Sequence, residues 1–130
     1  MTIGIMDPVR NAMLNAITTY AGGSAILNIY AGTRPSKGGT ATTLLASLTC
    51  NATFAPNASG GQLTLNAIGN ATASASGTAS WARLLKSDGT TIVMDMDVGT
   101  GSSDLNLNST SIASGATVSV TSATITAGNV

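Results

Sequence analysis

Two aspartates separated by one residue are the most evident candidates for chemistry in the sequence: Asp95 and Asp97 in "IVMDMDVG". Paired carboxylates can exchange protons with a substrate or hold a cation. In an extended strand, however, residues i and i+2 lie on the same face. The apolar residues between and beside them then share the opposite face: Met94, Met96 and Val98. This alternation predicts a half-buried strand with Asp95 and Asp97 on its solvated side.

A calcium loop is the alternative interpretation of the same segment, with Asp104 as a third oxygen ligand in "DMDVGTGSSD". A helix–loop–helix calcium site has Gly at its sixth position and a bidentate Glu at its twelfth. Counted from Asp95, those positions hold Thr100 and Asn106. The solvated strand is therefore favoured, and a calcium- or glycan-binding module is kept as an alternative function.

The composition argues against catalysis. The chain of 130 residues contains no His and no Glu, and its five basic residues balance its five acidic ones. His titrates near neutral pH and is the commonest metal ligand, so its absence disfavours acid–base and zinc chemistry. Nucleic-acid binding is disfavoured as well, because neutralising phosphates needs a basic surface that zero net charge does not supply. We therefore expect a non-enzymatic protein with no cofactor, metal or nucleic-acid partner.

The N-terminal segment shows no targeting pattern. "MTIGIMDPVR" lacks a basic stretch followed by an apolar one, and no apolar run approaches the length of a membrane span. We expect a protein that is made and used without a membrane or a signal peptide.

Cys50 and Trp81 are the only residues of their types. Cys50 has no second Cys for an internal disulfide and no His to activate it, so we predict a small half-buried apolar side chain in a strand. Trp81 opens the apolar run "WARLL", which predicts a core anchor. An exposed carbohydrate platform is the alternative for Trp81.

Two cations, Arg34 and Lys37, lie in the Gly-rich stretch "AGTRPSKGGT". The stretch resembles a phosphate-binding loop in composition but lacks the required G-x-x-x-x-G-K-[ST] spacing. We therefore predict a surface loop whose two cations contact a protein partner.

One helix is predicted over residues 8–20. Asp7 is a candidate cap and Pro8 suits the first helical position, where its missing N–H leaves nothing unpaired. Gly22 and Gly23 would end the helix. Five residues between these limits follow helical spacing: Val9, Met13, Ala16, Ile17 and Tyr20.

After Gly23 the sequence predicts strands separated by turns. Short alternating runs recur with Gly, Ser and Asn between them, and Ser87-Asp88-Gly89 predicts a hairpin. In "TVSVTSATIT" one predicted face holds Val118, Val120, Ser122, Thr124 and Thr126. The fold prediction is all-β, a β-sandwich or jelly-roll with one N-terminal α-helix. We expect residues 1–23 to form an arm and helix within the same domain as a β-sandwich over residues 24–130.

Three stretches carry a resemblance to a known family: "YAGTRP", "ASGTASWARLLKSDGTTIVMD" and "DLNLNSTSIASGATVSVTSATIT". Together they span about Leu27 to Thr126, and they resemble small structural proteins encoded by tailed bacteriophages. The resemblance implies a virion component made in the host cytoplasm. Similarity of size and all-β character favours a capsid cement or decoration protein on the capsid surface. Its implied partners are the major capsid protein and sister copies in a homo-oligomer, and a tail- or fibre-associated module is the alternative.

The N-terminal residues Ile3, Ile5 and Met6 are apolar, although free chain ends are often disordered and polar. We expect these three residues to dock on a partner chain or on a sister subunit. With Arg34 and Lys37, they make up the predicted partner contacts.

Overall fold

The computed structural model describes residues 4–127, so the predicted contact residue Ile3 lies outside the described residues. One helix, α1 (Asp7–Ala21), precedes the strands. In chain order these are β1 (Ile26–Ala31), β2 (Thr43–Thr49), β3 (Gln62–Thr64), β4 (Ala71–Thr72), β5 (Gly77–Leu85), β6 (Ile92–Gly99), β7 (Leu105–Leu107), β8 (Ser111–Ile112), β9 (Thr117–Val118) and β10 (Val120–Thr126). The prediction of an all-β fold with one N-terminal helix is confirmed.

The helix extends one residue beyond the predicted range at each end, and its cap differs from the prediction. Met6, with extended φ −66° and ψ 144°, occupies the cap position and makes no side-chain cap bond. Asp7 is instead the first helical residue, where its carboxylate accepts a 2.9 Å hydrogen bond from Arg10 Nη1. At the other end Gly22 adopts a φ of 71° and its N–H donates to Thr18 O.

Most strands belong to one hydrogen-bonded sheet in the order β2-β1-β5-β6-β7-β10-β3, and β8 pairs with β5. Leu45 on β2 and Leu63 on β3, at opposite ends of this order, are both fully buried in the same core cluster. The sheet therefore curls around a single interior. The remaining two strands, β4 and β9, form a small sheet beside β2, where Ser74 N–H donates to Leu45 O.

Among the strand pairs of residues 4–127, β6–β7 is the parallel one, with Val98 opposite Leu105 and Gly99 opposite Asn106. The chain returns through a tight loop over residues 100–104, in which Ser103 lies where a Cβ on Gly99 would be. Asn106 is buried, and its amide group bonds both the N–H and the carbonyl of Ser103. A buried amide whose hydrogen bonds are satisfied can stabilise such a loop.

The C-terminal strand prediction is wrong in one respect. Residues 117–126 do not keep one face, because the strand is interrupted after Val118 and its register shifts between Val120 and Ser122. Val118 is buried, but beyond the shift the buried residues have the other parity: Ala123, Ile125 and Ala127. An irregularity of this kind changes which side chains face the core.

The predicted hairpin at Ser87-Asp88-Gly89 joins β5 and β6. The Asp88 carboxylate accepts hydrogen bonds from the Thr91 hydroxyl and from the N–H groups of Thr91 and Thr90. These bonds, with that of the Thr91 hydroxyl foremost, lower the pKa of Asp88 to about 2. Gly89 adopts a φ of 74°, a conformation that favours glycine in such a turn.

Candidate binding site

Both faces of the central strand β5 are covered. Ala82 and Leu84 point into the core together with Leu27 and Ile29 of β1. The opposite face carries Tyr30, Trp81 and Arg83, which are also buried. The connection between β1 and β2, residues 32–42, covers that second face through contacts described below. We call it the 32–42 loop.

An aromatic pair forms the floor beneath one end of the 32–42 loop. The rings of Tyr30 and Trp81 stack with centroids 4.4 Å apart and an interplanar angle of 16°. Trp81 is 0% exposed, and its Nε1 donates a 2.8 Å hydrogen bond to Thr42 Oγ1 in the loop. The predicted role of Trp81 as a buried anchor is confirmed, and this ring offers no surface to a glycan.

A buried ion pair holds the middle of the loop. Arg83 Nε donates to Asp95 Oδ1 at 2.7 Å, and Arg83 Nη2 donates to Asp95 Oδ2 at 3.2 Å. Both groups also bind the loop: Arg83 Nη2 donates to Gly39 O at 2.7 Å, and Asp95 Oδ2 accepts from Gly38 N–H at 3.1 Å. Because each partner bonds the loop backbone, we call Arg83 and Asp95 the latch.

The electrostatics of the latch keep both partners charged. Burial acts to raise the pKa of Asp95, but the hydrogen bonds from Arg83 and from the Gly38 N–H outweigh it, so this pKa lies below its ordinary value. The hydrogen bond to Asp95 raises the pKa of Arg83, against the opposing effect of burial. The two buried charges are therefore paired and hydrogen-bonded within the protein, as buried charges in folded proteins usually are.

The second predicted carboxylate forms a looser ion pair. Asp97 Oδ1 lies 3.2 Å from Arg34 Nη1, and the Asp97 side chain is 63% exposed, against 5% for Asp95. The two aspartates share a face, as predicted, but Asp95 is not solvated because the 32–42 loop lies over it. The loop therefore separates the two acids into a buried latch and a surface ion pair.

A groove of about 590 Å³ lies where the loop meets the start of β6. One wall is the loop segment from Arg34 to Gly38, and the other is formed by Ile92, Val93 and Met94 with Asp95. The structure thus brings Arg34 and Lys37 together at this groove. Lys37 is exposed and forms no ion pair among residues 4–127.

The predicted N-terminal contacts lie elsewhere. Met6 is 74% exposed at the start of α1, and Ile5 is half-buried beside it. Leu14 and Ala21 attach α1 to the core cluster, which lies on the side of the β1–β5–β6 sheet opposite the 32–42 loop. The structure therefore separates the predicted contacts into two surfaces on opposite sides of this sheet.

The inward face of α1 is partly polar, which helical spacing did not predict. Asn15 Oδ1 accepts from Ala58 N–H at 2.8 Å, and Asn11 Oδ1 accepts from Gly61 N–H at 2.9 Å. Arg10 Nη2 donates to Ala127 O at 3.1 Å. The helix is therefore attached by hydrogen bonds as well as by apolar packing. Most of the large apolar residues that defined its spacing point outward: Val9, Met13 and Tyr20.

The remaining predictions concern Cys50, metal binding and membrane spans. Cys50 is buried rather than half-buried, and it lies just beyond the end of β2 rather than within a strand. Its N–H donates to Ala25 O, and burial raises the pKa of its thiol to about 11. Within residues 4–127, no three acidic or Cys side chains form a group that could hold a metal ion. None of the helices described is long and apolar enough to cross a membrane.

Comparisons with protein-family models, with curated proteins and with solved structures each found no match to this chain. The resemblance to phage structural proteins therefore stays a prediction.

Proposed function

We propose that this chain is a non-enzymatic virion structural protein that binds the outer surface of an assembled bacteriophage capsid and strengthens it. The observation that carries the proposal is the latched 32–42 loop, which presents Lys37 beside the apolar wall of a groove. The phage setting rests on the resemblance of about residues 27–126 to small structural proteins of tailed phages.

The pairing of charges supports a binding role over a catalytic one. Three of the five basic residues bond carboxylates: Arg10 with Asp7, Arg34 with Asp97 and Arg83 with Asp95. Catalytic groups need a pKa matched to proton transfer or an activated nucleophile. Around the groove the acids are instead neutralised by arginines, and the thiol of Cys50 is buried away from it.

The chemistry of the groove indicates the kind of surface it would bind. The charged side chains around the groove are three cations and two carboxylates, so one positive charge is left without a negative partner. The cations are Arg34, Lys37 and Arg83, and the carboxylates are Asp95 and Asp97. The opposite wall is apolar, with Ile92 at its partly exposed end. A capsid segment with one apolar side chain and a neighbouring carboxylate would complement both walls.

Binding of this kind stabilises a particle by mass action. A subunit that binds the assembled lattice and not the dispersed capsid proteins shifts the equilibrium towards assembly. At a free concentration one hundred times Kd, each occupied site contributes about 2.7 kcal/mol. A loop that is already hydrogen-bonded to the sheet aids such binding because less conformational entropy is lost when the partner docks.

The test is co-sedimentation of the purified chain with assembled particles that lack it, followed by heating or low-salt treatment of those particles. We expect the protein to sediment with the particles and to raise the fraction that survives. Protein that stays in the supernatant would contradict the proposal. Electron microscopy of labelled protein would show whether a bound chain lies on the head or on the tail.

A pair of variants tests the groove itself. Lys37→Gln removes one positive charge at the groove, and Ser102→Asp adds one negative charge in the loop at the far end of β6. Both variants change the net charge equally. We expect Lys37→Gln to weaken particle binding about 5-fold, as the loss of ~1 kcal/mol predicts, and Ser102→Asp to leave it unchanged. Equal effects would show that only overall charge matters.

A further inference from the structure

Strand β6 is fully paired along one edge and only partly paired along the other. The first edge pairs with β5 over residues 92–97, with an irregular register before Met94. On the second edge, β7 pairs with residues 98–99. Among residues 4–127, no strand pairs with the rest of this second edge, and no loop or turn hydrogen bond involves its backbone. We call the second edge of residues 94–97 the open edge.

The groove between the 32–42 loop and β6 reaches the open edge. Asp95 points towards the loop, whereas Val93 and Met94 pack against the core on the other side of the strand. All three residues line the groove. Because the edge towards β5 is occupied, a groove that touches both faces of β6 passes around its open edge. The opposite wall consists of residues 34–38 of the loop, and no residue of α1 lines the groove.

We propose that an extended segment of the capsid partner binds in the groove as an additional strand on the open edge. The inference rests on the proposed function, since it states how the partner lies in the same groove. A strand edge presents unpaired N–H and C=O groups, and a second extended backbone satisfies them. A helix does not, because its own N–H and C=O groups bond each other. The backbone of β6 therefore determines the conformation of the occupant.

The surroundings of the open edge determine the side-chain pattern of the segment. Side chains of an added strand alternate between the two faces of the sheet, beside those of the neighbouring strand. On the side of the loop the groove is lined by Lys37, which forms no ion pair among residues 4–127. On the other side lie the half-buried apolar side chains of Val93 and Met94. The segment should therefore alternate acidic and apolar residues.

The length of the open edge limits the strength of the contact. Residues 94–97 span about 13 Å of extended strand, and beyond them β7 already occupies the edge. The contact therefore comprises only a few backbone hydrogen bonds, and a short peptide should bind weakly. The acids of β6 do not repel an acidic segment, because Asp95 and Asp97 are both paired with arginines.

Water-exchange NMR of the full chain with a synthetic peptide of alternating valine and aspartate tests the added strand. At a peptide concentration ten times Kd, an amide that pairs with the peptide exchanges only in the unbound molecules. The amides that point out from the open edge should then exchange about tenfold more slowly. Amides of the loop over residues 100–104 should be unaffected. No binding, or binding without slower exchange at the open edge, would overturn the proposal.

Methylation of the peptide backbone distinguishes strand pairing from side-chain contact. One peptide is N-methylated on its valines and a second on its aspartates, so each keeps all its side chains but loses one alternate set of N–H donors. In a strand, one set faces the neighbouring strand and the other faces away. We expect one methylated peptide to bind at least about tenfold more weakly and the other within about twofold of the parent. Equal affinities of the two would overturn the proposal.

The position of the acidic residues is tested with Lys37→Gln and a peptide in which asparagine replaces aspartate. The variant should bind the aspartate peptide about 5-fold more weakly than the wild type and the asparagine peptide within about twofold. Equal weakening of both would refute the assigned side-chain pattern. A chain that sediments with particles but does not bind the peptide refutes the added strand and not the virion function. A chain that binds the peptide but not the particle refutes the capsid as the partner.

Discussion

Arg83 and Asp95 lie opposite each other on β5 and β6 and are joined by hydrogen bonds of 2.7 and 3.2 Å, with side chains only 7% and 5% exposed. Each also bonds the backbone of the 32–42 loop. The ion pair therefore connects the central strands to the loop that covers them, and loss of either partner would affect both.

Removing one member of the latch should be much more damaging than replacing both. Arg83→Met leaves Asp95 as an uncompensated buried charge, which typically costs about 3–5 kcal/mol. The double variant Arg83→Met with Asp95→Leu replaces the pair by apolar side chains and should recover most of that loss. Urea unfolding of the wild type and both variants measures the difference. A double variant no more stable than Arg83→Met would contradict this account.

The latch should also give the protein an acid-sensitive component of stability. Because the pKa of Asp95 is lower in the folded state than the ordinary value of about 3.9, the charged carboxylate stabilises the fold above that value. The contribution is lost as the pH falls through the lower, folded-state pKa. Asp95→Asn cannot titrate, so the difference in unfolding free energy between the wild type and Asp95→Asn should be largest at neutral pH and shrink in acid. A difference that grows in acid would show the opposite linkage.

Because α1 is attached partly by hydrogen bonds, replacing a side chain of the helix by Ala should reduce the stability of the protein by an amount that depends on its position. Asn15→Ala removes the acceptor of the Ala58 N–H and leaves that partly buried donor unpaired, which should destabilise the protein by about 1–3 kcal/mol. Thr19→Ala, at an exposed position one turn later, should change stability by less than about 0.5 kcal/mol. Thermal unfolding compares the two. Similar small losses would mean that apolar packing alone holds the helix.

Cys50 should be unreactive in the folded protein. Burial raises the pKa of its thiol from 9.0 to about 11, so the thiolate fraction near neutral pH falls about a hundredfold, and the buried position also blocks access. A thiol reagent should modify the native chain very slowly and the urea-unfolded chain at the rate of a free cysteine. Rapid modification of the native chain, without loss of folded signal, would show that Cys50 is accessible.

Features determined by nearby residues were predictable from the sequence. The Ser87-Asp88-Gly89 turn places its hydrogen-bonding side chain and its glycine within a few residues, so local chemistry determines the hairpin. Trp81 is large and lies within an apolar run, so its burial was predictable. The helix was predicted to within one residue at each end because Pro8 and Gly22 mark its limits.

Features that depend on distant parts of the chain were not predictable. Asp95 and Asp97 have the same strand parity, and only the position of the 32–42 loop makes one buried and the other exposed. Helical spacing likewise identified an apolar face of α1, but it did not predict that most of this face points to the solvent rather than to the core. That direction depends on Asn11 and Asn15 meeting the N–H groups of Gly61 and Ala58, more than forty residues away.

The enclosed position of Trp81 makes it an internal optical reporter. It is the only tryptophan, it stacks on Tyr30, and Arg83 lies 5.1 Å above its ring. Its fluorescence should therefore be that of an indole shielded from water, shifting to longer wavelength when the loop above it opens. Since α1 contains no tryptophan and lies on the other side of the sheet, this emission reports on the loop and not on the helix.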